Sequence, residues 1–416
     1  MKLVHLNLFI CLLCGLVFQI ACSSPNHTAS QTASQKKTWS IGFPVFHTNG
    51  DIGPVDANEL AYLIAQQMSL RELAAQILIV SPGNTAEPPG RFLDNMKEIP
   101  VGGIILMGYN IGSDADAVRN FTARMQQAAV SSGAGIPLYI SIDHEGGTVF
   151  RLDGIAANLP NAADAGSMES DPAEVRRQFT EAANNLRELG ISMNFAPVLE
   201  PLLPENRSFL RYRSYSDNPD RVFQLGGAMI EEMRSAGILP VAKHFPGSGD
   251  GDPHYELPLF SQNVETIYHP AILPFTRAVH ELDLPGIMSA HVRVPSLDKN
   301  LPATISPRIQ QGFLRDKIGF SGLIISDDLN MRGLTRTHSP AESGVLAVKA
   351  GVDMLLTMGA DYHRIHAALM DSVQTGVLDE ERLLQAAAKG IEYKLRLNLY
   401  QRSRELIASA AGLHTY

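Results

Sequence analysis

The sequence predicts a (β/α)8 barrel, and three observations carry that prediction. Eight short apolar runs recur along the chain, at residues 76–80, 102–108, 137–143, 191–199, 239–245, 284–292, 322–328 and 353–359. The runs are continuous rather than alternating, as in QILIV and GLIISDD, which marks strands covered on both faces and therefore a parallel sheet. Longer amphipathic segments separate them. Eight such strand–helix units in about 340 residues suit one barrel, with a doubly wound open sheet as the competing arrangement. No repeat or second domain interrupts the rhythm.

The helical segments carry their own punctuation. Residues 171–190, DPAEVRRQFTEAANNLRELG, open with Asp171 as N-cap and Pro172 at the first helical position, and close at Gly190. Residues 218–237 follow the same plan. In MSLRELAAQ, Ser69 and Glu72 have the spacing of a capping box. The catalytic-size domain is placed at 58–396, with a C-terminal extension over 397–416.

The N-terminus has a different character. All three cysteines, Cys11, Cys14 and Cys22, lie in the first 22 residues. Lys2, an apolar run and small residues before Cys22 have the layout of an export signal spanning residues 1–22. A membrane-spanning anchor is the rival reading, but the run is short and no positive charge directly follows it. The ending FQIAC-SS resembles the lipobox of bacterial lipoproteins, which makes Cys22 the expected lipidation site. Gln19 departs from that pattern, and ordinary cleavage near Ala21 is the alternative. Residues 23–57 read as a flexible tether, long enough to reach on the order of 30 Å. The expectation is an exported protein of the cell envelope or periplasm, touching a membrane only through an N-terminal lipid. If Cys22 is acylated, the mature chain has no free thiol, which suits an oxidising compartment.

Composition narrows the function classes. With 34 Lys+Arg against 43 Asp+Glu, the net charge of −9 repels phosphate backbones and excludes nucleic acid as the expected partner. The 45% hydrophobic content supports a large core.

In this fold the chemistry sits where strands end and loops begin. The chain's unusual polar residues fall there: Asp143 and Glu145 after the third run, Glu200 after the fourth, Lys243 and His244 closing the fifth. His291 ends the sixth and Asp327 the seventh. Such a pattern is not expected of scattered core charges.

In IISDDLNMRG (324–333), two adjacent carboxylates at a strand end point in different directions. One suits a turn-capping role for Asp328. The other, facing the mouth, can attack a sugar anomeric carbon. A metal ligand is a weaker reading, because the folded part has no Cys and its one close His pair, His363 and His366, lies on a predicted helix. In SIDHEGGTVFR (141–151), Asp143 and Arg151 can bind hydroxyls by charge-assisted hydrogen bonds or form a structural ion pair. In KHFPGSGDGDPHYELP (243–258), glycines and prolines rule out regular structure and predict a mobile loop. Asp252, two residues before His254, can orient the imidazole, which then gives and takes a proton near neutral pH. A solvated polar loop is the plain alternative. Neither a phosphate loop nor a calcium loop fits the spacing.

Together KHFPGSGDGDPH, SIDHEGGTVFR, NFAPVLE…RSYSDNP and ISDDLNM resemble glycoside hydrolase family 3, over roughly residues 60–395. Within that family they look most like the bacterial β-N-acetylhexosaminidases of peptidoglycan turnover. The resemblance implies a (β/α)8 barrel and a retaining exo-enzyme without metal or cofactor. It implies a carbohydrate substrate carrying N-acetylglucosamine, as in muropeptides or chitin fragments. It places the nucleophile on Asp327 and the acid/base dyad on Asp252 and His254. Sugar contacts fall on Asp143, Arg151, Arg213, Lys243 and His244. Four departures stand out: Ser248 replaces the usual His, the catalytic loop is two residues shorter, Pro253 separates the dyad, and Glu200 stands where Asp is common. The alternatives are a β-glucosidase or phosphorylase of the same fold, and a degenerate envelope protein that binds glycans without cleaving them.

Overall fold

The computed structural model describes residues 56–167, 170–359 and 361–411. The segment expected to be an export signal, Cys22 and nearly all of the expected tether lie outside them. Asp56 and Ala57 belong to the folded part instead, because the Asp56 side chain caps the helix Ala57–Gln66.

Each apolar run contains a strand: β1 (Leu78–Val80), β2 (Gly103–Leu106), β3 (Tyr139–Ile142), β4 (Met193–Asn194), β5 (Leu239–Phe245), β6 (Gly286–Ser289), β7 (Leu323–Ser326) and β8 (Leu355–Thr357). All but β5 are shorter than their runs. In 191–199 only Met193–Asn194 pair as a strand, since Pro197 has no N–H to donate, and Val198 regains Lys243 as a single bridge. Neighbours are hydrogen-bonded in the order β7-β6-β5-β4-β3-β2-β1-β8, all parallel. A bridge between Ile325 and Met354, with Ser326 N–H donating to the Met354 carbonyl at 2.9 Å, joins β7 to β8. The ring is therefore a barrel and not an open sheet.

The runs are continuous because both strand faces are dry. Ile79, Ile105, Tyr139, Met193, Leu239, Val241, Met288, Ile325 and Leu356 point inward and fill the lumen as one cluster. Their neighbours Leu78, Val80, Ile104, Ile140, Ile142, Ile287, Ile324 and Leu355 pack outward into a second cluster with the helices. Each such aliphatic side chain contributes about 1.5–3 kcal/mol on burial.

The outer helices begin and end where the sequence punctuates them. Asp171 accepts from Ala173 N–H at the start of Pro172–Glu188, and Asn218 accepts from Asp220 N–H at the start of Pro219–Ser235. Ser69 and Glu72 form the reciprocal capping box of Leu70–Gln76. Gly190 adopts φ +78°, the left-handed stop that glycine adopts without strain.

The C-terminal extension is the helix Leu399–Ala410, and Leu399 joins the lumen cluster at the N-terminal end of the strands. Close by, Lys394 is fully buried. Its ammonium donates to Gln76 Oε1 at 3.0 Å and lies 5.1 Å from the Tyr139 ring. Burial without a carboxylate pushes its pKa down to about 7.

Candidate active site

The opposite end of the barrel, at the strands' C-termini, gathers the titratable residues. After β3 the chain turns sharply at Gly146 and Gly147, with φ +101° and +56°. A Cβ on Gly147 would sit 2.3 Å from the Asn161 Cβ, so only glycine permits the turn. The turn aims Glu145 into the mouth beside Asp143. Lys243, from β5, places its ammonium 2.6 Å from Asp143 Oδ1 and 2.7 Å from Glu145 Oε1. Arg213 donates twice to the Glu145 carboxylate, both bonds 2.8 Å. Burial alone would raise the Glu145 carboxyl, but Lys243 and Arg213 outweigh it and hold it far below the usual carboxylate range. Burial likewise opposes the Lys243 charge, while Asp143 and Glu145 overcome it and raise the lysine.

Glu200, after β4, is a second buried hub. It accepts from the backbone N–H of His244 at 3.0 Å and lies 2.6 Å from His244 Nδ1. It also accepts from the N–H and the hydroxyl of Ser248. The Ser248 departure noted in the sequence thus adds a hydroxyl donor to Glu200 beside the backbone N–H of that position. With Nδ1 engaged, the Nε2 of His244 is left for the site.

The adjacent aspartates of β7 separate as anticipated. Asp328 forms a turn, accepting from Asn330 N–H at 3.1 Å and Met358 N–H at 3.0 Å. Asp327 is 6% exposed and accepts from Asp328 N–H at 2.8 Å. Burial would raise its pKa, yet His244, His291, the Asp328 N–H and Lys243 hold it below the ordinary aspartate value. The carboxylate at the mouth is therefore an anion, as a nucleophile must be.

The loop 246–260 is irregular but stitched down. Gly247, Gly249 and Gly251 take φ +126°, +65° and +121°. Asp250 and Leu259 exchange backbone hydrogen bonds at the base, and Pro258 and Phe260 bond Arg293 beyond β6. At the tip, the Pro253 carbonyl accepts from Gly333 N–H at 2.9 Å. Pro253 lies between the dyad residues and Gly333 lies six residues past Asp327, so this bond ties the dyad's loop to the chain that leaves the β7 tip. Asp252 Oδ1 lies 2.7 Å from His254 Nδ1, which leaves Nε2 as the nitrogen free to exchange protons. Phe209 stands between the groups, its ring centroid 6.3 Å from those of both His244 and His254 and 5.1 Å from the Arg213 guanidinium carbon.

Asp143, Lys243, His244, Arg213 and Asp327 form one cluster, with Asp252 and His254 carried to it on the loop. Arg151 makes no ion pair with that cluster among the described residues; its buried Nε has no partner, and its charge acts on His144. His366 is spent on the Arg71 carbonyl at 2.9 Å. Two residues received no role from the sequence. Glu145 was visible as a strand-end carboxylate two positions past Asp143, whereas Phe209 sits on a short loop helix without any periodic signal.

A buried carboxylate at one strand tip, paired charges beside it and an aspartate-oriented imidazole on the neighbouring loop are groups suited to a glycoside hydrolase barrel. The family model described as "Glycosyl hydrolase family 3 N terminal domain" matches residues 69–392, and the chain belongs to glycoside hydrolase family 3. It is 30% identical over 348 residues to beta-hexosaminidase A of Pseudoalteromonas piscicida, covering 78% of this chain and 58% of that protein. It is 34% identical over 263 residues to a beta-hexosaminidase of Nitrosospira multiformis, covering 62% of this chain and 73% of that one. A solved structure of a family 3 beta-N-acetylglucosaminidase from Paenibacillus sp. superposes with TM-score 0.76 at 29% identity, covering 83% of this chain and 68% of that chain.

Proposed function

We propose that this glycoside hydrolase is a retaining exo-β-N-acetylglucosaminidase that removes terminal, non-reducing N-acetylglucosamine from peptidoglycan or chitin fragments. The observation that carries the reading is the Pro253–Gly333 bond, which ties the loop bearing Asp252 and His254 to the chain leaving Asp327. The names of the relatives support the sugar class.

In this reaction the Asp327 carboxylate attacks the anomeric carbon. The bond from that carbon to the glycosidic oxygen breaks, and the proton on His254 Nε2 passes to the leaving oxygen. A glycosyl ester on Asp327 remains. Nε2, now neutral, takes a proton from water as its oxygen attacks the same carbon, and the Asp327 carboxylate is released. Two inversions retain the β configuration. Asp252 keeps Nδ1 protonated throughout. Lys243, Arg213, Asp143 and the Nε2 of His244 supply charged and neutral partners for sugar hydroxyls.

The test is turnover of an aryl β-N-acetylglucosaminide against the matching glucoside, each with and without phosphate. The reading expects preference for the N-acetylated substrate, free sugar rather than sugar phosphate as product, near-complete loss in Asp327→Ala, and in His254→Ala a loss that is severe on a glycoside with a poor leaving group. A preference for the glucoside, a phosphorylated product, or no turnover at all would each overturn it. From the export-signal layout of residues 1–22 and its closing Cys22, we further propose that the enzyme sits at the cell envelope on a lipid anchor. An intact mass of membrane-extracted protein lacking residues 1–21 and carrying acyl chains is the expected result.

A further inference from the structure

We propose that Phe209 is a positioning residue that fixes the plane of the His254 imidazole; the inference rests on the reaction proposed above. Asp252 engages His254 through one ring nitrogen. A single hydrogen bond fixes a point on the ring and leaves its plane free to swing. His254 is 54% exposed, and Phe209 is the ring that packs near it among the described residues. The two rings meet at 50° with centroids 6.3 Å apart, within the range where tilted aromatic pairs attract.

Phe209 is itself held firmly. It lies on the helix Arg207–Leu210, whose Leu210 is fully buried. Asn206 anchors that helix, accepting from Leu203 N–H at 2.8 Å and donating to the Pro201 carbonyl at 3.0 Å. The same ring packs at 6.3 Å from His244 and lies beside Arg213. It therefore forms an apolar spacer between Arg213 and His244 on one side and the imidazole that must carry a proton on the other. Without it, His254 loses its planar restraint and the space beside the Arg213 charge opens to solvent.

The consequence can be read from the leaving group. Protonation by His254 matters most when the departing oxygen is a poor leaving group and hardly at all when it is an activated phenolate. The experiment measures kcat/KM on methyl, 4-nitrophenyl and 2,4-dinitrophenyl β-N-acetylglucosaminides for the wild type, Phe209→Ala, Phe209→Leu, Phe209→Tyr and His254→Ala. Phe209→Ala and Phe209→Leu are expected to lose about tenfold on the methyl glycoside and about twofold or less on the dinitrophenyl one. Phe209→Tyr retains the ring and is expected to recover the methyl activity. His254→Ala should show the same selectivity in a steeper form. An equal loss across the series in both Phe209 truncations, beside a selective loss in His254→Ala, would overturn this proposal alone. An equal loss in His254→Ala would overturn the acid/base assignment and this proposal with it.

Discussion

The Lys243 ammonium lies 2.7 Å from the Glu145 carboxylate, and neither side chain has more than 4% of its surface exposed. With Asp143 and Arg213 they form two anions and two cations inside the mouth. Glu145→Gln leaves one carboxylate for two buried cations. Breaking such a pair costs about 3–5 kcal/mol, and urea denaturation is expected to show it, together with a loss of kcat/KM. The Glu145 carboxyl is lower in the folded state than in the unfolded chain. Its stabilisation is thus present above the ordinary glutamate value of about 4.3 and drains away as pH falls below it. Glu145→Gln should accordingly flatten the acid limb of the stability curve; an unchanged limb would show that the pair is not coupled to folding.

Gly333 is where the chain that leaves Asp327 touches the loop of Asp252 and His254. A Cβ there would lie 3.0 Å from the Glu256 carbonyl oxygen, 3.2 Å from that of Pro253 and 3.6 Å from the His291 Cβ. Gly333→Ala therefore pushes the loop away by a few tenths of an ångström. Small displacements of a proton donor cost activity out of proportion to their size. We expect kcat to fall about tenfold or more while stability changes by less than about 1 kcal/mol. An alanine variant with wild-type kcat would show that the loop's seat is not used.

Lys394, at the far end of the barrel, shifts in the same direction as Glu145 but for the opposite reason: burial disfavours its charge, whereas Lys243 and Arg213 favour the charge on Glu145. Its pKa falls from an ordinary lysine value to about 7 on folding. Between that value and about 10.4 the unfolded chain binds the proton and the folded chain does not, so stability rises with pH across this window. Below about pH 7 the full cost of a buried ammonium is paid. Lys394→Met is expected to raise stability at neutral pH by a few kcal/mol. It should also abolish the alkaline rise. Denaturation curves at pH 7 and pH 10 decide it: a variant still gaining stability over that interval would assign the rise to another group.

How much of this was legible in the sequence follows from what each signal encodes. Strands buried on both faces write themselves as unbroken apolar runs, so the barrel could be read. Polar residues that end such runs stand out against them, and Asp327, Lys243 and His244 were found that way. The Asp252–His254 contact is local and needs only a two-residue spacing. What could not be read depends on contacts across the barrel. Glu145 and Arg213 meet over 68 residues of chain, and nothing near either one announces the other. Phe209 resembles any loop aromatic until its neighbours are in place. In β4 an apolar run overstated the strand, because apolarity survives where Pro197 interrupts pairing. Lys394 looks like the polar face of an amphipathic helix, and only the closing of the lumen turns it inward.

In the proposed reaction the two reacting groups travel on different carriers: Asp327 at the end of β7, His254 on a loop laced to the segment beyond β6. In that reading, recognition of the sugar and departure of its partner are entrusted to different segments of the chain. Exchange of residues 246–260 alone is then a route by which this barrel can acquire new aglycones, or other acceptors in place of water, while keeping the stave that carries Asp327.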